Sequence, residues 1–215
     1  MNYRIAYIDE SDSWINTFYH TFKNDFEVFK FKVDNNSTVD SLIKELYTQH
    51  LDAIVTDYLL EEEGGVWFNG NKIVSLIKQH HPHFPLIMLT SHQPEAISHS
   101  DDVHIIYSKD IISGENEKEL EVFKSKMISN ISSYYKKIED TNMRIAQLVE
   151  KRNIKGLEIL EEEELTKLYM LYDELNPDGK EIPTNLIQKE SITQLNEFVK
   201  EAKDILAELK KINKK

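Results

Sequence analysis

Several polar side chains in the first half of the chain stand at the ends of short apolar runs. They are Asp9 and Glu10, Asp57, Thr90 and Lys109. Three carboxylates held together repel one another unless a cation lies among them, and Mg²⁺ is the most plausible hard cation for such oxygen ligands. With the ion bound, one carboxylate can attack a phosphoryl group while the hydroxyl and the ammonium contact its oxygens. Brought together by the fold, these residues indicate capture of a phosphoryl group.

The apolar runs themselves predict the elements that would position these side chains. Strands are predicted at residues 4–9, 26–33, 53–57, 85–90 and 103–107, with helices at 13–23, 39–49 and 71–79. This alternation is typical of a doubly wound α/β domain with a five-stranded parallel sheet. Functional residues of such sheets gather at the carboxyl ends of the strands, because the loops leaving there line a crevice.

The same segments resemble a known family. In sequence order, IAYIDE, AIVTDYLL, GNKIVSLIK, LIMLTS and IIYSKD are similar to the motifs of response-regulator receiver domains, the phosphoacceptors of two-component signalling. The resemblance covers residues 3–138 and implies a flavodoxin-like sheet. It also implies that Asp57 accepts a phosphoryl group from a phosphohistidine on a sensor histidine kinase or phosphotransfer protein.

The resemblance implies a role for the other residues at the strand ends. Asp9 and Glu10 match the acidic pair of the family, which with Asp57 and the backbone carbonyl of Leu59 would surround Mg²⁺. Thr90 matches the switch hydroxyl, and Lys109 matches the lysine that contacts the phosphoryl oxygens. Such a protein is a phosphoacceptor with at most slow self-dephosphorylation, not an enzyme.

Three departures from the family pattern lie around the fifth predicted strand. The Lys-Pro dipeptide of the family is Lys109-Asp110 here, and the position of the switch aromatic falls on Ile106. Tyr107 is one position away and, by strand alternation, faces the other side of the sheet. The segment SHQPEAISHSDD is too polar and too interrupted for a full fourth helix. We therefore expect a complete phosphorylation site beside a rebuilt switching face.

The second half of the chain is predicted to be helical. A long helix begins near Lys118, a second spans 161–175 and ends at the turn sequence NPDG, and a third spans 191–212 with a heptad pattern of apolar residues. We expect a receiver domain at 1–138 and a small all-α domain at 139–215 that share an extended fifth helix. The heptad pattern predicts either packing on the helix at 161–175 or a coiled-coil interface with a partner.

The composition of the chain argues against some classes of binding partner. The formal net charge of -12 opposes attraction to nucleic acid or to an anionic membrane. There is no cysteine, no leader-like start and no run of 18 apolar residues. These features predict a cytoplasmic protein with no disulfide, no membrane insertion and no nucleic-acid partner.

Two of three weaker patterns favour structural explanations, and the third leaves two explanations open. His80, His81 and His83 are interpreted as a solvated loop rather than a metal site, because they lack established ligand spacing. The stretch from Glu174 to Gly179 imitates a calcium loop but is expected to be a helix-helix turn. The acidic run 61–63 with two following glycines predicts either a loop that tunes kinase access or a plain solvated loop.

Three functions follow from these patterns. In the first, phosphorylation of Asp57 changes how the helical part meets a downstream protein, with self-association as one form of that output. In the second, a phosphorylation-independent pseudo-receiver acts as a scaffold or adaptor. A third, an Asp-dependent phosphohydrolase, would need a second acid two residues after the nucleophile, where Leu59 stands.

Overall fold

The protein is described from a computed structural model that covers residues 2–61, 65–99, 102–114 and 116–175. The predicted NPDG turn, the predicted helix at 191–212 and its heptad pattern lie outside the described residues. The acidic run 61–63 lies mostly outside them.

Five parallel strands form one sheet in the order β2-β1-β3-β4-β5. The strands are β1 (Arg4–Asp9), β2 (Glu27–Lys32), β3 (Ala53–Asp57), β4 (Leu86–Thr90) and β5 (Ile106–Ser108). This strand order is that of the flavodoxin-like doubly wound fold, as predicted. The prediction that the fifth strand begins at residue 103 was wrong. Val103–Ile105 form a 3-10 turn instead, because the Asp102 side chain accepts a hydrogen bond from the backbone amide of His104.

Helices cover both faces of the sheet. They are α1 (Asp12–Phe22), α2 (Val39–Thr48), α3 (Gly70–His80), α4 (Gln93–Ser98) and α5 (Glu117–Lys155). One face carries α1 and the first turns of α5, and the other carries α2, α3 and α4. The expectation that the fourth helix is incomplete was right, since α4 has only six residues.

The described residues of the helical part form an antiparallel hairpin built on α5. This helix runs for 39 residues and ends at Gly156, whose φ of 79° suits glycine and ends the helix. The chain then returns as α6 (Ile159–Leu175), which confirms the helix predicted at 161–175. Ile145 and Leu148 of α5 pack against Leu165 of α6 in a small core of their own.

The hairpin also contacts the amino-terminal end of the sheet. The Tyr134 hydroxyl donates a hydrogen bond to the Leu175 carbonyl at 2.7 Å, and His83 lies 3.2 Å from Glu174. These contacts lie at the end of the sheet away from the strand ends that carry the acidic residues. Among the described residues, no helix combines the length and apolarity that a membrane crossing requires.

Candidate functional site

The structure brings the predicted polar residues to one place, the carboxyl ends of β1, β3, β4 and β5, called here the carboxyl edge. Asp9, Asp57, Thr90 and Lys109 are all buried there, and Glu10 is half-buried beside them. Burying this many polar groups is costly unless they are paired, so their pairing shows what holds the site together.

Lys109 is the cation that pairs with the buried carboxylates. Its Nζ lies 2.7 Å from an oxygen of Asp57 and 2.9 Å from an oxygen of Asp9. Lys109 is the first residue of a 3-10 turn, Lys109–Ile112, which begins where β5 ends. The Ser108 side chain accepts a hydrogen bond from the Asp110 amide at 3.2 Å and so caps this turn. The buried position of the ammonium is thus set by the backbone that leads into α5.

Asp9 is fixed from two sides. Its carboxylate accepts hydrogen bonds from the Tyr7 hydroxyl at 2.5 Å and from the Ser11 amide at 2.9 Å. The Tyr7 ring stacks on Phe18 of α1 at a centroid distance of 4.1 Å. Sequence reasoning missed Tyr7, although residues two apart on a strand share a face and Tyr7 therefore points the same way as Asp9.

Burial dominates the ionisation of two carboxyl groups. It raises the pKa of Asp57 to about 6, against the opposing effect of the Lys109 ammonium. Burial, followed by repulsion from Asp9, raises the pKa of Glu10 to about 7. Both groups hold their protons more tightly than exposed carboxyls do, and a bound cation would reverse this preference.

The acidic residues fit a magnesium site. Asp9, Glu10 and Asp57 can each present one oxygen such that the three oxygens lie within 4.8 Å of one another. Among the described residues, Oε2 of Glu10 is buried and has no hydrogen-bond partner, which leaves an oxygen ligand available. Carboxylate and carbonyl oxygens are the ligands that Mg²⁺ prefers.

A cavity of about 180 Å³ opens at the carboxyl edge. It is lined by Glu10, Ser11, Trp14, Asp57, Leu59, Ser91, His92 and Lys109. Thr90 lies at the same edge but is not among the lining residues, and its Oγ1 accepts a hydrogen bond from the His92 amide at 2.9 Å. The cavity therefore presents Asp57 and Lys109 to a small ligand, whereas Thr90 lies beside it as a hydrogen-bond acceptor for the His92 amide.

The junction of β3 and α3 depends on a glycine that sequence reasoning did not single out as a site residue. The Gly70 amide donates a hydrogen bond to the Tyr58 carbonyl at 2.8 Å. A Cβ atom on Gly70 would lie 1.9 Å from the backbone oxygen of Asp57, so no larger residue fits unless α3 or that strand end moves. Asn69 completes the junction, because its side chain accepts hydrogen bonds from the amides of Leu60 and Glu61.

The two candidate switch positions face opposite sides of the sheet, as strand alternation predicts. Ile106 packs into the core under α2, α3 and α4. Tyr107 faces α5, where its ring meets Phe123 edge-on at 5.2 Å and the Lys126 ammonium lies 5.2 Å from its centroid. The aromatic residue of β5 thus contacts α5 rather than the α4 side.

Among the residues that the structure describes, the histidines at 80, 81 and 83 are not gathered into a metal site. Within the described part of the chain, Asp9, Glu10 and Asp57 are the one group of three or more side chains placed to hold an ion. His81 instead packs near Tyr47 and Phe84, and His83 contacts Glu174 and Lys137.

The chain is similar to known proteins in structure but not in sequence. No protein-family model matches the sequence, and no curated protein matches it significantly. The signal receiver domain of an HD domain-containing protein from Pseudomonas fluorescens Pf-5 is 13% identical with a TM-score of 0.49, over 63% of this chain and 93% of that chain. The receiver domain of the stress response regulator RcsB from Escherichia coli is 20% identical to this chain, with a TM-score of 0.45. The match covers 59% of this chain and 95% of the RcsB receiver domain.

Receiver domains of response regulators are therefore structural neighbours of this chain. A structure described as an adenylate cyclase from Rhodopirellula baltica is similar too, at 17% identity and a TM-score of 0.48, over 65% of this chain and 96% of that chain. The similarity covers the α/β part of the chain.

Proposed function

We propose that residues 1–138 form a receiver domain in which Asp57 accepts a phosphoryl group. The observation that carries this proposal is the Lys109 ammonium, buried between Asp9 and Asp57 at the wall of a cavity that Glu10 also lines. A buried lysine held between two carboxylates is expensive to desolvate. This cost is explained if the buried lysine serves to neutralise a phosphoryl group attached to one of those carboxylates.

The reaction is a phosphoryl transfer from a phosphohistidine of a sensor histidine kinase or phosphotransfer protein. A carboxylate oxygen of Asp57 attacks phosphorus, the P–N bond to the imidazole breaks, and the imidazole nitrogen leaves with the electron pair. The product is an acyl phosphate on Asp57. Lys109, already within hydrogen-bond distance of Asp57, would then contact the phosphoryl oxygens, and water later hydrolyses the acyl phosphate slowly.

Asp9, Glu10, Asp57 and the backbone carbonyl of Leu59 are the proposed magnesium ligands. When bound, Mg²⁺ would neutralise the crowded carboxylates and the charge that develops on the phosphoryl oxygens. The role of Asp9 in this set is supported by its two hydrogen bonds, from Tyr7 and Ser11, which fix the direction of its carboxylate.

The proposed output passes through α5 to the helical part at 139–215. Lys109 belongs to the turn that leads into α5, and the buried Ile112 of this turn packs in the same core as Phe123. The helix is continuous to residue 155, which supports the proposal that a displacement of its first turn would reach the hairpin. We propose that this cytoplasmic protein signals through contacts of the helical part with another protein or a second copy of itself, and not through nucleic acid.

A pseudo-receiver scaffold is the second candidate, and two observations favour it. The Thr90 hydroxyl already accepts a hydrogen bond from the His92 amide, and Ile106 occupies the position of the switch aromatic. The Thr90 hydroxyl can still donate to a phosphoryl oxygen, but a rotation of its side chain would break the hydrogen bond from the His92 amide. In the scaffold, the helical hairpin binds its partner whether or not Asp57 carries a phosphoryl group.

Calorimetric titration with fluoroberyllate in the presence of Mg²⁺ distinguishes the two candidates. This phosphoryl mimic should bind the wild-type protein and fail to bind Asp57→Asn. Asp40→Asn is the matched control, because Asp40 is exposed on α2. Equal binding by wild type and Asp57→Asn, or no binding by either, would contradict phosphoacceptance and favour the scaffold.

A further inference from the structure

Trp14 is placed against the phosphoacceptor site by the first turns of α1. It lines the same cavity as Asp57 and Lys109, and the Lys109 Nζ lies 5.2 Å from the centroid of its ring. The remainder of the side chain packs against the core beneath α1 and α5. One aromatic ring therefore contacts both the cation of the site and the space that a phosphoryl group would enter.

The contact with Lys109 has the geometry of a cation–π interaction. Such interactions operate when an ammonium lies within about 6 Å of a ring centroid, and they strengthen where water is excluded. An ammonium has three N–H donors, and Lys109 directs two polar contacts to Asp9 and Asp57. The ring supplies a third attraction that does not compete with the carboxylates for those hydrogen bonds.

We propose that Trp14 is a positioning residue that holds the Lys109 ammonium at Asp57 and so lengthens the lifetime of the acyl phosphate on Asp57. This inference rests on the proposed phosphoacceptor function. On phosphorylation, one Asp57 oxygen becomes part of the P–O bond, so Lys109 must turn from the carboxylate to the phosphoryl oxygens. The ring keeps the ammonium in the cavity throughout this exchange.

The same ring restricts water at the site. Hydrolysis requires a water molecule to attack phosphorus while the P–O bond to Asp57 breaks, yielding inorganic phosphate, the Asp57 carboxylate and a proton. In a cavity of about 180 Å³, an indole forming one wall limits the positions from which water can approach. Removal of the ring should shorten the lifetime of the acyl phosphate.

The two tryptophans of the chain allow a matched design. Trp67 is 99% exposed in the loop between β3 and α3 and has no part in the cavity. The protein is phosphorylated with a small phosphodonor and Mg²⁺, the donor is removed, and the phosphorylated fraction is followed on phosphate-affinity gels. Wild type is compared with Trp14→Phe, Trp14→Leu and Trp67→Leu.

Trp14→Leu should shorten the half-life by roughly threefold or more, because leucine keeps apolar bulk but has no π face. Trp14→Phe should retain most of the wild-type half-life, and Trp67→Leu should retain all of it. Equal half-lives for wild type and Trp14→Leu would overturn the inference and leave phosphoacceptance intact. Equal shortening by Phe and Leu would also overturn it, since that result indicates lost packing.

A second readout needs neither metal nor phosphoryl group. In a double-mutant cycle of Trp14→Leu and Lys109→Met, measured by urea denaturation without Mg²⁺, the effects on the unfolding constant should be non-additive by about two- to fivefold. Additivity would overturn the proposed contact. If wild type takes up no phosphoryl group, the proposed function fails, and the cycle still decides whether Trp14 holds Lys109.

Discussion

Lys109 lies 2.7 Å from the Asp57 carboxylate and is also the first residue of the turn that carries the chain from β5 into α5. The group that would contact the phosphoryl oxygens is thus connected through three further turn residues and a short loop to a 39-residue helix. A change at Asp57 that displaces Lys109 would act on this helix directly. This connection supports an output at the helical hairpin, at the end of the sheet opposite the site.

Lys109→Met should disturb both the phosphorylation site at Asp57 and the start of α5. Without Mg²⁺, two buried carboxylates would face each other without a counter-charge, and we expect the free energy of unfolding to fall by roughly 3–5 kcal/mol. Phosphorylation should be strongly reduced, and amide hydrogen exchange should accelerate in the first turn of α5. Lys118→Met, on the exposed side of that turn, is the control. Unchanged exchange in α5 would contradict the coupling.

Glu10→Gln should stabilise the metal-free protein. The pKa of Glu10 is about 7 in the folded state against an ordinary value of 4.5, so the folded protein binds more protons than the unfolded chain between these values. The contribution of Glu10 to the free energy of unfolding therefore falls as the pH rises from about 4.5 to 7, and glutamine removes this loss. We expect a gain on the order of 1 kcal/mol above pH 7, because Glu10 is only half-buried and water screens the repulsion.

Urea denaturation across pH 4 to 8 measures this effect, and added Mg²⁺ supplies the contrast. Saturating Mg²⁺ should stabilise the wild-type protein more than Glu10→Gln, since the variant has lost a proposed carboxylate ligand. If both proteins lose stability equally between pH 4.5 and 7, Glu10 does not titrate as described.

Gly70→Ala should damage the site through the backbone. The new methyl group would lie 1.9 Å from the Asp57 carbonyl oxygen, so either α3 or the end of β3 must move. Overpacking of this kind costs about 1–3 kcal/mol. We expect that loss in chemical denaturation together with weaker fluoroberyllate binding. Ser75→Ala, exposed on the same helix, should change neither quantity, and a fully active Gly70→Ala would contradict the close approach.

Leu165→Ala tests the proposed division at residue 138. Leu165 is buried between α5 and α6, so its truncation should destabilise the hairpin by roughly 2–4 kcal/mol. Hydrogen exchange should accelerate in α6 and in the second half of α5, while phosphorylation of Asp57 keeps its rate. Lys167→Ala on the exposed face is the control. Loss of phosphorylation would show that the two parts do not fold independently.

The sequence was sufficient to predict the sheet and the group of polar residues at its edge. Parallel strands align their carboxyl ends, so Asp9, Asp57, Thr90 and Lys109 had to meet once the strands were recognised. The start of β5 was mispredicted because Asp102 caps a 3-10 turn over residues that are apolar enough for a strand. Local capping of this kind competes with strand formation and leaves a weak signal in the pattern.

The contacts that support the site could not be predicted in the same way. Trp14 reaches the site only because α1 packs against the sheet, and the importance of Gly70 depends on how closely α3 approaches Asp57. The hydrogen bond from His92 to Thr90 likewise depends on the path of one loop. These are tertiary relationships, whereas hydrophobic periodicity reports on each element separately.

The central claim is that Asp57 is a phosphoacceptor, and intact-mass spectrometry tests it most directly. The protein is incubated with Mg²⁺ and acetyl phosphate, in parallel with Asp57→Asn and with a sample containing a metal chelator. We expect one added phosphoryl group on the wild-type protein and none on the variant or the chelated sample. An adduct that persists in Asp57→Asn, or wild-type protein that takes up no phosphoryl group and binds no fluoroberyllate, would contradict the claim.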